Sequence, residues 1–298
     1  MTTEPKDEPA EVRPAAPGEF EPLTLGPLEV WPPVVLAPMA GVTNHPFRSL
    51  CREFGAGLFV SEMITARAYL NGNRRTILLA SSRDDEHPRS VQIYGSDPIV
   101  VSEMARALVD VGVEHVSIPV LGNGDIWEAP DALAMMRSTG CRGVIVGRGC
   151  LGRPWLFGEL AEIFDGKTPT PPPNFGEVVK VMVEHARRLI DFFGPDVGMK
   201  QMRKWGTWYT IGFPGSARAR ADFVRVKRLE DLLEILARLP ADTPFPEHAL
   251  RAHRGKGGRT QVVKLPEGYL DDLEDDTPPR SPHAPEELAA FERALQGG

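Results

Sequence analysis

Two short loops carry the clearest chemistry in the chain. Gly122-Asn123-Gly124-Asp125 and Gly147-Arg148-Gly149 each follow an apolar run and precede a helical pattern. Backbone N–H groups in strand-to-helix turns bind anions, glycines let a ligand approach the main chain, and arginine adds a two-pronged charged donor. Two consecutive loops of this kind point to a phosphate site, as do the loops after strands seven and eight of (β/α)8 barrels. For either loop alone, a plain tight turn is the alternative. Ala37-Pro38-Met39-Ala40-Gly41 ends the first apolar run. Its proline and small residues leave room for a flat ring against the backbone, or simply close a turn. Gln92, between Val91 and Ile93, carries an amide able to pair with ring N–H and C=O groups. Taken alone, it reads as a solvent-facing polar position.

A second chemistry lies further on. Residues 199–228 hold eight bases against the single acid Asp222, with Trp205, Trp208, Tyr209 and Phe213 interleaved. Cations for phosphates and rings for base stacking make an RNA-facing composition. A solvated basic face with the rings turned into a core is the alternative. Arg203, Lys204, Arg218 and Arg220 are the candidate RNA contacts. The seven histidines have no metal spacing, so no metal site is expected. Cys51, Cys141 and Cys150 are too few and scattered for a disulfide framework and read as structural thiols of a reducing cytoplasm.

Elements that position these groups follow from the apolar pattern. Strands are expected at Pro33–Met39, Leu58–Ile64, Ser90–Tyr94, Ile118–Leu121 and Gly143–Val146. Helices are expected at His45–Phe54, Arg67–Ala80, Ile99–Val111, Glu128–Arg137 and Trp155–Ile163. Alternation of strand and helix gives parallel strands with helical crossovers, an α/β class. Beyond a proline-rich linker near 166–174, helices are expected at Val178–Phe193, Met199–Ile211 and Ala221–Leu239, making a small helical domain. The 298 residues suffice for one large domain and one smaller one. Residues 1–22 hold six acids and two bases, and 265–298 nine acids and two bases. The net charge of −7 therefore sits in the two ends, leaving +4 between them. No apolar run approaches the roughly 20 residues of a membrane span, and the acidic, proline-rich start is unlike a secretory signal. A monomeric cytoplasmic protein is expected.

These residues together resemble the bacterial tRNA-dihydrouridine synthases. The opening Leu36-Ala37-Pro38-Met39-Ala40-Gly41-Val42-Thr43-Asn44-His45-Pro46-Phe47-Arg48 carries the resemblance. Ser61-Glu62-Met63, Gln92-Ile93-Tyr94-Gly95, Asn123-Gly124-Asp125-Ile126, Gly147-Arg148-Gly149, Gly152-Arg153-Pro154-Trp155 and Met202-Arg203-Lys204 continue it in order. The resemblance implies a (β/α)8 TIM barrel holding FMN, followed by a helical tRNA-binding domain. It implies that NADPH reduces the flavin, that a hydride passes to C6 of a tRNA uridine, and that a cysteine protonates C5. By matching position, Pro38, Met39, Ala40 and Gln92 would contact the isoalloxazine ring. Asn123, Gly124, Asp125, Gly147 and Arg148 would hold ribityl and phosphate groups.

The chain departs from the family in its middle. The family's third α/β unit is followed by an Asn-x-Gly-Cys-Pro loop, then by a strand bearing lysine and one bearing histidine. Here residues 112–116 run directly into Ser117-Ile118-Pro119-Val120, so the catalytic cysteine, lysine and histidine have no counterpart. Neighbouring parallel strands need a crossover of a dozen or more residues, and a single residue separates Val116 from Ile118. About five βα units are counted, where a closed barrel needs eight. The expected organisation is a disordered arm at 1–26 and a partial FMN-binding barrel at 27–166 with a deletion near 116–117. A tRNA-binding helical domain follows at 174–240, then a basic linker and acidic, mostly disordered tail at 241–298. An impaired synthase is the leading reading. A non-catalytic RNA-binding remnant and another FMN-dependent barrel oxidoreductase are the alternatives.

Overall fold

The computed structural model describes residues 12–83, 86–95, 98–113, 121–124 and 126–254. Asp125, residues 118–120 of the fourth expected strand, the 116–117 junction and the acidic tail lie outside them.

The chain enters through a hairpin, β1 (Leu23–Leu25) with β2 (Leu28–Val30). β3 (Val34–Leu36) leads to α1 (His45–Glu53), where the Asn44 side chain accepts the Phe47 N–H and Pro46 occupies the first turn. These are the usual signals of a helix start. β4 (Leu58–Phe59), β5 (Ile64–Thr65), α2 (Ala66–Leu70), α3 (Arg74–Ala80), β6 (Ile93–Tyr94) and α4 (Pro98–Asp110) follow. β7 (Leu121–Asn123), α5 (Ala129–Thr139), β8 (Gly143–Val146) and α6 (Leu156–Phe164) complete the α/β part. The helical region comprises α7 (Phe175–Phe193), α8 (Pro195–Tyr209), α9 (Ser216–Phe223) and α10 (Leu229–Leu236).

The protein is α/β, with parallel strands in the order β4-β3-β8-β7 and a second parallel pair, β5-β6. A parallel bridge between Val60 and Ser90 carries the first sheet toward the second. The first barrel-type strand, β3, is thus hydrogen-bonded to both the second and the last, which is the pairing a barrel requires. Among the described residues, β6 and β7 each have a strand neighbour on one side only.

Several expectations are corrected. The arm is ordered from Val12 onward. Ala15 is buried and donates its N–H to the Ile163 carbonyl at 2.9 Å, and Leu23 and Leu25 pack with Val30, Val35 and Leu58. The alternation in Leu23-Thr24-Leu25 and Leu28-Glu29-Val30 marks a hairpin that the surrounding prolines obscured. Residues 241–254 are not a loose linker either. Phe245 meets Trp155 and Phe213 edge-on, and buried Arg254 donates to the Ala249 carbonyl at 2.7 Å. The helix expected over 67–80 breaks at Gly72, whose φ of +73° favours glycine. The helix expected over 221–239 breaks before Leu229, where Asp231 accepts the N–H groups of Lys227 and Arg228. α8 opens at Pro195, four residues before the helix expected from Met199.

One apolar core runs from β3, β8, α1, α5 and α6 into α7–α10. Its centre is aromatic: Phe47 lies 4.5 Å from Trp205, and His185 4.6 Å from the same ring. Burial, helped by the nearby charges of Lys204 and Arg188, pulls the His185 pKa down to about 3, so this core histidine is neutral at physiological pH. Gly152 permits the approach of the segment before α6 to α8, since a Cβ there would stand 2.5 Å from the Trp208 carbonyl carbon.

Candidate functional site

Strand register brings the predicted loops to one edge. Leu36 lies opposite Val146 and Asn123 opposite Ile145, so β3, β8 and β7 end level. Ala37 donates its N–H to the Val146 carbonyl at 2.9 Å. Pro38–Ala40, Asn123-Gly124 and Gly147-Arg148 therefore leave from adjacent strand ends. A Cβ on Gly124 would meet nothing within 4 Å, and one on Gly147 would meet only the Ala37 Cβ at 4.0 Å. The main chain at both loops is thus open to a ligand, and Arg148 is exposed beside it. Gln92 sits apart, on the segment entering β6. Its N–H donates to the Ser61 hydroxyl at 3.3 Å, its carbonyl accepts from Ile64 at 2.8 Å, and its side chain is exposed.

The loop after β3 is held from several sides. Glu62, at the end of the second barrel-type strand, accepts the Gly41 N–H at 2.5 Å. Lys204 of α8 donates to the Gly41 carbonyl, so Gly41 is held through both its N–H and its carbonyl oxygen. Burial raises the Glu62 carboxyl, outweighing the Gly41 hydrogen bond and the Lys204 charge. Beneath the loop lies a buried triad. Glu86 meets His45 Nδ1 at 2.6 Å and receives two donors from Arg48. Arg48 in turn donates to the carbonyls of Thr43 and Ser81 at 2.9 and 3.1 Å. Glu62 was legible in principle, as a carboxylate at a strand's C-terminal end; Glu86 sits in an irregular segment with no such signal.

The basic segment divides. Arg218 and Arg220 are exposed on α9. Arg203 is half-buried and donates to the Val226 carbonyl at 2.9 Å, and Lys204 is turned toward Gly41. Trp205, Trp208, Tyr209 and Phe213 are all buried, so the stacking surface read from the sequence belongs to the core instead. The reason is spacing: Trp205, Trp208 and Tyr209 fall on one face of α8, the face that packs on α7. Lys204→Met is expected to lower folding stability by about 1.5–3 kcal/mol, the range for a hydrogen bond to a charged group. Urea unfolding checks this, and unchanged stability with weakened tRNA binding would instead make Lys204 a nucleic-acid contact.

Cys51 and Cys150 are buried, and Cys150 Sγ lies 3.1 Å from the Gly147 carbonyl oxygen. Burial and the neighbouring Cys150 thiol push the Cys51 thiol well above its usual range, the opposite of an activated nucleophile. Cys141 precedes β8, at the strand end away from the loops. No group of three or more His, Cys, Asp or Glu suited to a metal occurs among the described residues. Nor is any described helix long and apolar enough to cross a membrane.

Fold and site together define a barrel-type parallel α/β protein whose strand-end loops leave the main chain open beside the exposed Arg148. The sequence profile of the dihydrouridine synthase (Dus) family matches residues 35–118 and 113–243. The chain belongs to this family. It is 34% identical to a probable tRNA-dihydrouridine synthase of Mycobacterium tuberculosis over 364 residues, covering 85% of this chain and 93% of the relative. The probable tRNA-dihydrouridine synthase of Mycobacterium leprae is 32% identical over 375 residues (82% and 97%). tRNA-dihydrouridine synthase B of Pseudomonas syringae is 29% identical over 307 residues (70% and 90%).

Proposed function

We propose that this chain is a flavin-dependent reductase of tRNA uridine whose chemistry is impaired by the loss of an internal segment. The observation that carries the reading is the position of β7. A right-handed crossover through α4 should set the next strand beside β6, yet the next strand among the described residues, β7, is hydrogen-bonded to β8 across the sheet. The alignment lengths support the same reading. Of 364 aligned positions, 85% of a 298-residue chain supplies about 253, leaving about 110 opposite no residue here. In a barrel of about 250 residues, each βα unit takes roughly 31, so the shortfall corresponds to between about three and four units.

The open main chain at Gly124 and Gly147, with Arg148 alongside, fits the phosphate end of FMN. Asn123 and Asp125 would join them around the ribityl chain, while Pro38, Met39, Ala40 and Gln92 would lie against the ring. When bound and reduced by NADPH, FMN supplies a hydride for C6 of uridine. Glu62, Lys204 and Arg48 would fix the ring-facing loop, and Arg218 and Arg220 would meet tRNA phosphates. C5 protonation is left without a donor: two of the three thiols are buried, and the third is at the wrong strand end.

The test uses the purified full chain with tRNA. Binding should weaken steeply with salt, and Arg218→Glu with Arg220→Glu should weaken it about tenfold or more, each lost phosphate contact being replaced by repulsion. Dihydrouridine formation should fall at least about a hundredfold below that of a complete relative. Salt-indifferent binding would remove the tRNA assignment, and a full rate would remove the impairment. A colourless protein that still binds tRNA would favour the non-catalytic remnant.

A further inference from the structure

The two one-sided strands stand at opposite ends of the strand order and run in the same direction, because every strand pairing in both sheets is parallel. An edge strand left open is a template for pairing. No contact of β6 with β6, or of β7 with β7, can be parallel about a two-fold axis perpendicular to the strands. An axis along the strands preserves their direction and sets β6 of one copy beside β7 of another, twice over. Both edges, open among the described residues, then disappear at once into a single ring. Ring closure is what removes edges altogether.

The helices fit this arrangement. In a right-handed crossover, the helix after a strand covers the junction with the next strand. α5 does so here: its Met135 packs over Gly122 of β7. α4 follows β6 and buries Met104 and Leu108 with Ile64 of β5 and Ala66 of α2. The C-terminal end of α4 is unusually apolar for a surface: Val109 is 57% exposed and Val111, just beyond, 56%. Beside β7 lies an open groove of about 580 Å³, lined by Leu121, Met135, Thr139, Cys141 and Arg142 among others. The valines and the groove's Thr139–Arg142 turn both lie at the N-terminal end of the strands. Their charges are complementary too. Exposed Asp110 sits between the two valines, and exposed Arg142 borders the groove, engaged only by the exposed Glu21 among the described residues. An exposed pair of that kind gives way readily.

We propose that the occupant is a second copy of this chain. Two copies pair about a two-fold axis parallel to the strands, each seating the end of its α4 in the groove beside the other's β7. This replaces the monomer expected from the sequence, and it rests on the reading that the strands between β6 and β7 are missing.

The experiment is the solution mass of the full chain by light scattering or sedimentation equilibrium, with its covalent mass measured in parallel. The expected result is a covalent mass of 32.7 kDa and a particle of twice that. Val109→Asp with Val111→Asp should weaken dimerisation at least tenfold. Val224→Asp, at a valine 61% exposed on the helical region, should leave it unchanged. Asp110→Arg and Arg142→Asp should each weaken the dimer, and the two combined in one chain should restore it. That swap guards against a valine variant that merely misfolds. A monomer of 32.7 kDa at micromolar concentrations overturns the dimer while leaving the missing-segment reading intact. A dimer indifferent to all these changes overturns it as well. A natural covalent mass well above 32.7 kDa would instead remove the missing-segment reading.

Discussion

Glu86→Ala is expected to cost about 3–5 kcal/mol of folding stability, the range for removing one partner of a buried ion pair. Glu86 is 3% exposed and Arg48 2%, so neither charge has water to fall back on. With the carboxylate gone, the Arg48 guanidinium keeps only the carbonyls of Thr43 and Ser81, and a full positive charge remains in the interior. Replacement of Glu86 by glutamine should recover the shape but little of the loss, because the charge still goes unmatched. The same group sets an acid sensitivity. Burial by itself would raise the Glu86 carboxyl, but the His45 and Arg48 hydrogen bonds and the Arg48 charge outweigh it and hold the pKa below its ordinary 4.5. A depressed folded pKa means that its contribution is complete above the unfolded value and is lost as pH falls through the folded one. Urea unfolding at pH 7 and below pH 4 should therefore show the gap between wild type and Glu86→Ala narrowing in acid. A gap independent of pH would mean that packing, not charge, accounts for the loss. The consequence reaches the site, because Arg48 anchors the Thr43 carbonyl at the base of the loop after β3.

How much of this was legible beforehand depends on the kind of signal. The position of the two loops at strand ends was legible because its signal is local: glycines after an apolar run, with an arginine among them. The helix start at Asn44 was likewise written in a capping residue, whereas α7 begins at Phe175, three residues ahead of the expected Val178. The aromatic run of α8 was misread because composition counts rings without saying which way they face; the three- and four-residue spacing of Trp205, Trp208 and Tyr209 held the answer. The arm and residues 241–254 were misread for a related reason. Proline content suggested looseness, whereas order came from distant partners such as Ile163, Trp155 and Ala249. Triads and clamps like Glu86 with Arg48, or Glu62 and Lys204 around Gly41, join residues 21 to 163 positions apart and leave no periodic trace. Gln92 is placed with the ring-facing residues by its motif alone, and its exposed side chain on the segment entering β6 carries no local signal of that role.

On the proposed reading, inserting the block that a relative carries opposite the Val116–Ser117 junction is expected to raise dihydrouridine formation about 10²–10⁴-fold, the contribution typical of a positioned general acid. The block would bring the Asn-x-Gly-Cys-Pro loop and the lysine and histidine strands, and with them a proton donor for C5. The same insertion should make the protein a monomer, because β6 and β7 would then be paired within one chain and the groove beside β7 filled. These two readouts separate the causes. An insert whose cysteine is replaced by alanine should still fold, hold flavin and lose the dimer, while gaining little or no activity. If the cysteine-free insert were as active as the complete one, the defect would lie in barrel closure and flavin retention, and the missing acid would not be what limits the chain. If the complete insert gave a flavin-bound monomer with no gain in rate, the impairment would lie outside the segment altogether. Attention would then turn to the ring-facing loop, where Gly41 hangs between Glu62 and Lys204.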